Sequence, residues 1–275
     1  MGLIGDKISY SVSPLMHNRA AALLEQKIAY LPFSLPGSHL ESFLEVAWHF
    51  GAIGFNVTQP HKSAIAGLIG NSGLQSINTL YRGQSGWLGA STDGPGFCRA
   101  LERMGKSLRA FERVVFLGSG GAVISILEHF FDRASKGEQV PSKIAILRRS
   151  NGHDVQLSTI MKSVAKVHLV GLSPKELSDQ LAGAGEDTLF VQASSAPIHG
   201  DFLTSYASAI DSFRGCVVDL VYGRPSDIYF RALAKDLLVQ DGEPMLIEQA
   251  RLSQEIWWGR SAPYEEMALA IRKKS

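Results

Sequence analysis

Short apolar runs alternate along this chain with segments in which apolar residues recur every three or four positions. The first pattern predicts strands and the second predicts helices. Their repeated alternation favours an α/β fold with parallel strands and right-handed crossovers. The predicted strands are 1–5, 29–33, 52–57, 113–117, 143–147, 166–170, 188–192 and 216–222. The predicted helices are 14–24, 39–50, 121–133, 245–258 and 263–272, with one more after Pro60 and another after Ser173.

Residues at the predicted helix ends support this assignment. Ser13 is a candidate N-cap, and Pro14 stands where proline is favoured, at the first helical position. Ser173 and Glu176 have the spacing of a capping box. Gly259 is typical of a helix stop and separates the last two predicted helices.

Composition and charge narrow the class of protein. Of the 275 residues, 45% are hydrophobic and 19% are charged, as in ordinary globular proteins. The net charge of +1 gives no general attraction for a polyanion such as nucleic acid. Cys98 and Cys216 lack the spacing of a metal site, and no apolar run is long enough to span a membrane. We therefore expect a cytoplasmic protein whose partners are small molecules, with no nucleic acid, membrane or metal among them.

The middle of the chain contains a candidate dinucleotide site. A glycine-rich turn lies between a predicted strand and a predicted helix, and consists of Gly118, Ser119, Gly120, Gly121 and Ala122. Glycines in such a turn let backbone N–H groups at a helix start approach a pyrophosphate. The next strand ends at Arg148 and Arg149, where an enzyme that uses NAD usually has an acidic residue. Two guanidinium groups favour the 2′-phosphate of NADP, so the pattern predicts NADP as the cofactor.

Small polar residues gather at the ends of predicted elements in the first part of the chain, and several form recognisable blocks. The blocks are SVSPLMHN at 11–18, GFNVTQPHK at 54–62, INT at 77–79, TDGPGF at 92–97, GSGGA at 118–122, DLVY at 219–222 and MLIEQ at 245–249. In this order and spacing they resemble the shikimate dehydrogenases over nearly the whole chain.

The resemblance implies a fold of two α/β domains. Residues 1–97 would form the substrate-binding domain and residues 98–242 a Rossmann-type, doubly wound NADP-binding domain. Residues 243–275 would form helices that complete the first domain. The implied reaction is the NADP-dependent reduction of 3-dehydroshikimate to shikimate, a step of aromatic amino-acid biosynthesis. A monomer or a homodimer is expected.

The resemblance also implies roles for individual residues. Lys62 and Asp93 would be the catalytic pair. The implied substrate-binding residues are Ser11, Ser13, Thr58, Lys62, Asn78, Asp93, Tyr222 and Gln249, of which Ser11, Ser13 and Tyr222 would contact the substrate carboxylate. The implied cofactor-binding residues are those of the glycine turn and the two arginines, together with Ser150 and Gly242.

A lysine suits the implied chemistry because hydride addition to a ketone leaves negative charge on oxygen, which needs a proton or a cation nearby. An adjacent Asp93 would hold Lys62 in place. The sequence leaves open whether Lys62 transfers the proton or mainly orients the substrate, and we expect general acid catalysis in the reduction and general base catalysis in the reverse direction.

The cofactor segment departs from the family pattern. Ser119 replaces a usual alanine, and Gln192-Ala193-Ser194 is not followed by the Gly-Met pair expected near the nicotinamide. A quinate/shikimate dehydrogenase that uses NAD, a non-catalytic family member that senses a ligand, and an unrelated Rossmann reductase are therefore alternatives. The presence of both Lys62 and Asp93 argues against the sensor, because a sensor does not need that pair.

Overall fold

The chain divides into two compact units in the computed structural model, which describes residues 1–70, 73–149, 157 and 166–272. Unit 1 comprises Met1–Gly96 and Ile247–Ser275, and unit 2 comprises Phe97–Leu246. The C-terminal helices thus belong with the N-terminal segment, in agreement with the predicted fold class. The domain boundaries given from the sequence stay a prediction.

Among the described residues the α-helices are α1 Ser13–Leu23, α2 Leu40–His49, α3 Lys62–Ile69, α4 Asp93–Arg103, α5 Gly121–Ser135, α6 Pro174–Leu181, α7 Asp227–Leu233, α8 Glu243–Trp258 and α9 Tyr264–Arg272. The strands are β1 Gly2–Gly5, β2 Leu31–Ser34, β3 Gly54–Val57, β4 Thr79–Arg82, β5 Trp87–Ala90, β6 Arg113–Leu117, β7 Lys143–Arg148, β8 Lys166–Gly171, β9 Thr188–Gln192, β10 Cys216–Asp219 and β11 Val239–Gln240.

Unit 1 contains a mixed sheet in the order β2-β1-β3-β4-β5. β1 pairs in parallel with β2 and β3, whereas β4 pairs antiparallel with β3 and β5. The carboxyl ends of β1, β3 and β5 and the amino end of β4 therefore lie at one edge of the sheet. The segments that follow or precede these ends carry most of the polar blocks found in the sequence.

Both faces of the unit 1 sheet are covered by helices. Neighbouring residues of a strand point to opposite faces, so each strand contributes side chains to both contacts. Ile4 of β1 packs in a cluster with Leu44 of α2 and Ile65 of α3. Leu3 packs on the other side with Tyr30, against which Trp257 of α8 is placed. The indole N–H of Trp257 donates to the carbonyl of Leu80 at 2.9 Å, which fixes α8 to the sheet.

Unit 2 contains a sheet in the order β8-β7-β6-β9-β10-β11, with every pairing parallel. Val114 and Phe116 of β6 pack on one face with Leu127 of α5. Val115 of the same strand packs on the opposite face with Leu177 of α6. A parallel sheet buried on both faces explains the continuous apolar runs in the sequence. The strand order is that of the doubly wound Rossmann fold, which confirms the predicted fold class.

Several predicted boundaries were wrong, for local reasons. Ser13 does not cap α1: it is the first helical residue, and Val12 occupies the N-cap position without a side-chain hydrogen bond. β10 ends at Asp219 rather than at residue 222, because the Asp219 carboxylate accepts hydrogen bonds from the backbone of Val221 and Ser226 and turns the chain. By contrast, the Ser173 hydroxyl accepts from the Glu176 N–H at 3.1 Å, which confirms that cap.

The hairpin β4–β5 and the helix α4 were not among the predicted elements. α4 contains Gly94, Pro95 and Gly96 in its first turn, and these residue types disfavour a helix interior. Pro95 is tolerated there because the first N–H groups of a helix have no intrahelical partner.

His17 of α1 is completely buried between aromatic rings. Its ring stacks on Tyr30 with 4.3 Å between centroids and lies 5.4 Å from the ring of Trp257. Burial lowers the pKa of His17 to about 3, because the apolar surroundings disfavour the charged imidazolium. The folded protein therefore holds this histidine neutral at acidic pH, where the unfolded chain would protonate it.

We expect His17 to make unfolding easier as the pH falls. Between its ordinary value near 6.5 and about 3, the unfolded state binds a proton that the folded state does not, so stability decreases with decreasing pH. Between pH 8 and pH 5, His17 should account for a decrease of about 2 kcal/mol in the free energy of unfolding. Urea unfolding of His17→Gln at both pH values should lack this part of the decrease. His39→Gln, which replaces an exposed histidine, should show the same decrease as the wild type. Identical pH dependence in the wild type and His17→Gln would contradict the argument.

Candidate active site

Lys62 and Asp93 form an ion pair at the polar edge of the unit 1 sheet. Lys62 is the first residue of α3 and Asp93 the first residue of α4. The Lys62 ammonium donates to Asp93 Oδ2, and the two side chains are only 13% and 8% exposed. His61, directly before Lys62, is buried, and its Nε2 lies 2.8 Å from the carbonyl of Leu35, which anchors the start of α3. The structure thus brings together the two residues that the sequence analysis paired.

Asn78 connects this ion pair to its surroundings. Its Nδ2 donates to Asp93 Oδ1 at 2.7 Å and to Thr92 Oγ1 at 2.9 Å. Its Oδ1 accepts from the Thr92 N–H at 2.8 Å and from Thr79 Oγ1 at 3.1 Å. Asn78 is 2% exposed. It therefore fixes the carboxylate oxygen of Asp93 that Lys62 does not use.

Gln249 joins the same group from α8. Its Oε1 accepts from Asn78 Nδ2 at 3.2 Å. The close approach of α4 and α8 makes this contact possible: a Cβ on Gly96 would lie 2.8 Å from the backbone nitrogen of Gln249. Such a distance is shorter than any real Cβ contact, so the packing of the two helices requires glycine at this position.

A buried layer of polar side chains lies around Asn78. Tyr30 Oη donates to Asn56 Oδ1 at 2.8 Å, and Asn56 Nδ2 donates to Ser253 Oγ at 2.9 Å. The hydroxyls of Ser253 and Thr79 are 2.9 Å apart. The sequence analysis did not select these four residues as site residues. A signal was present, because Asn56 interrupts an apolar strand and Ser253 stands four positions after Gln249, on the same helix face.

Ser11 and Ser13 lie after the carboxyl end of β1. Ser11 Oγ accepts from the Ser13 N–H and donates to Ser13 Oγ, both at 3.2 Å. The Ser13 hydroxyl consequently keeps its own proton available for another acceptor. The first turn of α1 carries no acidic residue, so the partial positive charge of the helix start is unopposed there. Thr58, half-buried, follows β3, with its N–H bonded to the Ile4 carbonyl at 2.9 Å.

In unit 2 the glycine-rich turn lies at the carboxyl end of β6, at the position where the strand order reverses between β6 and β9. Gly118 has φ +111°, which strongly favours glycine, and a Cβ there would lie 2.9 Å from the Ser194 nitrogen. α5 begins at Gly121, directly after the turn, and has no acidic residue in its first turn. These features fit a pyrophosphate at the start of α5.

Arg148 is the last residue of β7, and Arg149 follows it at an exposed position. Both lie at the same edge of the sheet as the glycine turn, since Leu117 and Leu147 are register partners in parallel strands. Ser150, which the sequence analysis added to this group, lies outside the described residues. The two arginines are thus placed where a Rossmann fold usually binds the adenosine ribose.

The carboxyl ends of β9 and β10 are joined by a buried carboxylate. Gln192 Nε2 donates to Asp219 Oδ1 at 3.1 Å, and burial raises the pKa of Asp219. Tyr222 is half-buried in the segment that follows. A Cβ on Gly242 would lie 2.3 Å from the Leu220 carbonyl oxygen, so Gly242 is packed against the same segment. The roles of Tyr222 and Gly242 in ligand binding stay predictions.

None of the described helices has the length and apolar character of a membrane span. The His, Cys, Asp and Glu side chains of the described residues form no group of three or more that could hold a metal ion.

Comparison with known proteins adds independent information. The family model of the shikimate dehydrogenase substrate binding domain matches residues 3–73. Shikimate dehydrogenase (NADP(+)) of Thermosynechococcus vestitus is 29% identical over 292 aligned residues, which cover 98% of this chain and 94% of the relative. The enzyme of the same name from Bacillus cereus is 29% identical over 280 residues and covers 99% of this chain and 97% of its own.

Solved structures show the same similarity. Shikimate 5-dehydrogenase of Thermus thermophilus, in complex with NADP(H) and shikimate, has a TM-score of 0.78 at 25% identity and covers 100% of this chain and 98% of its own. The enzyme of Listeria monocytogenes, in complex with shikimate and NAD, has a TM-score of 0.80 at 23% identity, with coverage of 98% and 95%. The second likeness supports the fold alone.

We expect Gly96→Ala to destabilise the protein although alanine is the better helix former. The added methyl group would force α4 and α8 apart at Gln249, with a cost of about 1–3 kcal/mol. Gly67→Ala is the matched control, because Gly67 also lies in a helix and a Cβ there meets nothing within 4 Å. That change should leave stability unchanged or raise it by up to about 1 kcal/mol. Urea unfolding measures both, and equal effects of the two substitutions would refute the close-packing argument.

Proposed function

We propose that the chain is a member of the shikimate dehydrogenase family and that it catalyses the NADP-dependent reduction of 3-dehydroshikimate to shikimate. The observation that carries the proposal is the largely buried Lys62–Asp93 ion pair, held by Asn78 at the polar edge of unit 1. This pair supplies a proton donor in the unit to which the substrate-binding family model matches.

Unit 1 offers two kinds of group to a hydroxylated carboxylic acid. The hydroxyls of Ser11 and Ser13, beside the positive end of α1, suit the carboxylate. Lys62, Thr58, Asn78, Asp93 and Gln249 would bind the ring oxygens. Amide groups both donate and accept hydrogen bonds, and carboxylates accept them. Both kinds of group therefore suit the hydroxyls of the substrate ring. Tyr222 would be a further contact to the carboxylate.

The nicotinamide of the bound cofactor supplies the hydride. Negative charge then develops on the former ketone oxygen, and the Lys62 ammonium stabilises this charge and donates a proton to the oxygen. Asp93 accepts a hydrogen bond from the amine and holds it in position. In the reverse direction the neutral amine of Lys62 accepts the hydroxyl proton of shikimate.

The residues of unit 2 fit NADP as the cofactor. The turn from Gly118 to Ala122 lies at the start of α5, whose first turn has no acidic residue, and backbone N–H groups at such a helix start suit a pyrophosphate. Gly242 packs closely against Leu220 at the same edge of the sheet. An acidic residue at the end of β7 would repel a 2′-phosphate, whereas the cations Arg148 and Arg149 attract it. We propose that both arginines, together with Ser150, bind that phosphate.

Oxidation of shikimate by the purified protein tests the function directly. Shikimate with NADP+ should give the highest kcat/KM, and quinate or NAD+ should give lower values. A preference for quinate with NAD+ would favour the quinate/shikimate dehydrogenase alternative. Absence of turnover together with tight binding of shikimate would favour the non-catalytic alternative.

A cytoplasmic location and a monomeric or homodimeric state are proposed from the sequence alone.

Lys62→Ala should lower kcat by roughly a hundredfold to ten-thousandfold, because the proton donor is lost. The dissociation constant for NADP+ should not change. Lys175→Ala is the control, since Lys175 is exposed and forms an ion pair with Asp179 of the same helix. Steady-state kinetics and calorimetric titration measure both effects. A Lys62→Ala enzyme with a nearly normal rate would refute the assigned role.

The double substitution Arg148→Ala with Arg149→Ala should raise the KM for NADP+ by roughly tenfold or more, because charge-assisted hydrogen bonds to the phosphate are lost. The KM for NAD+ should change little. Arg109→Ala, at an exposed arginine before the amino end of β6, should affect neither constant. Equal increases for NADP+ and NAD+ would show that the arginines do not recognise the phosphate.

A further inference from the structure

The buried polar layer of unit 1 forms a continuous series of hydrogen bonds that ends on Asp93. Tyr30 donates to Asn56, Asn56 donates to Ser253, and the Ser253 and Thr79 hydroxyls are in contact. Thr79 donates to Asn78 Oδ1, and Asn78 donates to Asp93 Oδ1. If Ser253 donates to Thr79, every donor in the series finds an acceptor and every step has the same direction.

Such a series is strengthened by its surroundings. The five residues that lead to Asp93 are each 5% exposed or less, so water does not compete for these hydrogen bonds. In a low-dielectric interior, successive hydrogen bonds polarise one another. The series delivers its last N–H to a carboxylate, the acceptor for which that polarisation is most favourable. It is therefore suited to hold the Asp93 carboxylate in one orientation.

Ser253 is the member that α8 contributes, and it also lies one helical turn after Gln249. Its hydroxyl is 3.0 Å from the Gln249 carbonyl oxygen, which can accept its proton in place of Thr79. The contacts to Asn56 and Thr79, both at 2.9 Å, fix the rotation of α8 against β3 and β4. Gln249 Oε1, on the same helix face, is thereby directed towards Asn78.

We propose that Ser253 is a positioning residue for the reaction. Its hydroxyl holds Asn78 and Gln249 against the Lys62–Asp93 pair although Ser253 itself is completely buried. The identity of the substrate in this proposal rests on the proposed function. The positioning itself depends only on contacts within unit 1.

Ser253→Ala removes the central hydroxyl of the series. We expect kcat/KM for shikimate to fall roughly tenfold, as expected for the loss of a buried hydrogen bond that orients reacting groups. The KM for NADP+ should stay at its wild-type value. Assays are run well below the melting temperature of each variant, so that loss of folded protein does not contribute. A wild-type kcat/KM in folded Ser253→Ala would overturn the proposal.

Thr79 allows a second test in which shape and hydroxyl are separated. Thr79→Val keeps the side-chain shape but interrupts the series, and kcat/KM should again fall roughly tenfold. Thr79→Ser keeps the hydroxyl and should restore most of that loss. In the double variant Ser253→Ala with Thr79→Val, the losses should not multiply, because both changes break one series. Multiplied losses would show that the two hydroxyls act independently and would refute the proposal.

Ser125→Ala is the matched control. Ser125 is a buried helical serine of α5, and its hydroxyl has no partner among the described residues. The same loss of an oxygen atom at that position should change neither kinetics nor the hydrogen bonds of unit 1.

Crystal structures of the wild type and Ser253→Ala without ligands test the positioning separately from the activity. We expect the side chains of Asn78 and Gln249 to shift and the Asn78–Asp93 hydrogen bond to be lost. Unchanged positions in the variant would overturn the proposal. If the wild type fails to oxidise shikimate while these shifts are observed, the proposed function fails and the positioning role stands.

Discussion

The largely buried ion pair between Lys62 and Asp93 is the interaction on which the site depends. Removing two charges from water is costly, and the attraction between them offsets that cost only if their remaining hydrogen-bonding capacity is satisfied. Asp93 meets this condition because Lys62 contacts one carboxylate oxygen and Asn78 donates to the other at 2.7 Å. The polar layer behind Asn78 is therefore part of what makes a charged group tolerable at this depth.

The topology of unit 1 explains why these groups meet. Parallel pairing of β1 with β3 and the hairpin return of β4 and β5 place four strand ends at one edge of the sheet. A polar residue at each end then lies near the others without a long loop to carry it. The same principle operates separately in unit 2, where the strand order reverses between β6 and β9 beside the glycine turn, the position at which doubly wound sheets usually bind their ligands. In both units the candidate site residues thus gather at one edge of the sheet, mainly at the carboxyl ends of strands, with Asn78 at the amino end of β4 as the exception.

Features that depend on consecutive residues could be predicted from the sequence, whereas features that depend on packing could not. The turn from Gly118 to Ala122 was recognisable because a strand, a glycine-rich turn and a helix are consecutive in the chain. α4 was missed because two glycines and a proline in its first turn conceal a helix whose stability comes from packing. Ser13 was misplaced as a cap because the helix starts one residue earlier than the Ser-Pro signal indicates.

The sequence by itself determined which residue types stand at the element ends and the alternation of strands and helices that favours a parallel sheet. Those features depend on neighbours within a few positions or on one continuous pattern. The doubly wound order of unit 2 and the pairing of Lys62 with Asp93 were implied by the resemblance to a known family. Only the tertiary structure decided that Ser253 contacts Asn56, 197 positions away in the chain, and that Asn78 donates to Asp93. Such contacts depend on strand register and on how closely α4 and α8 approach at Gly96, and both are set by packing across the whole unit.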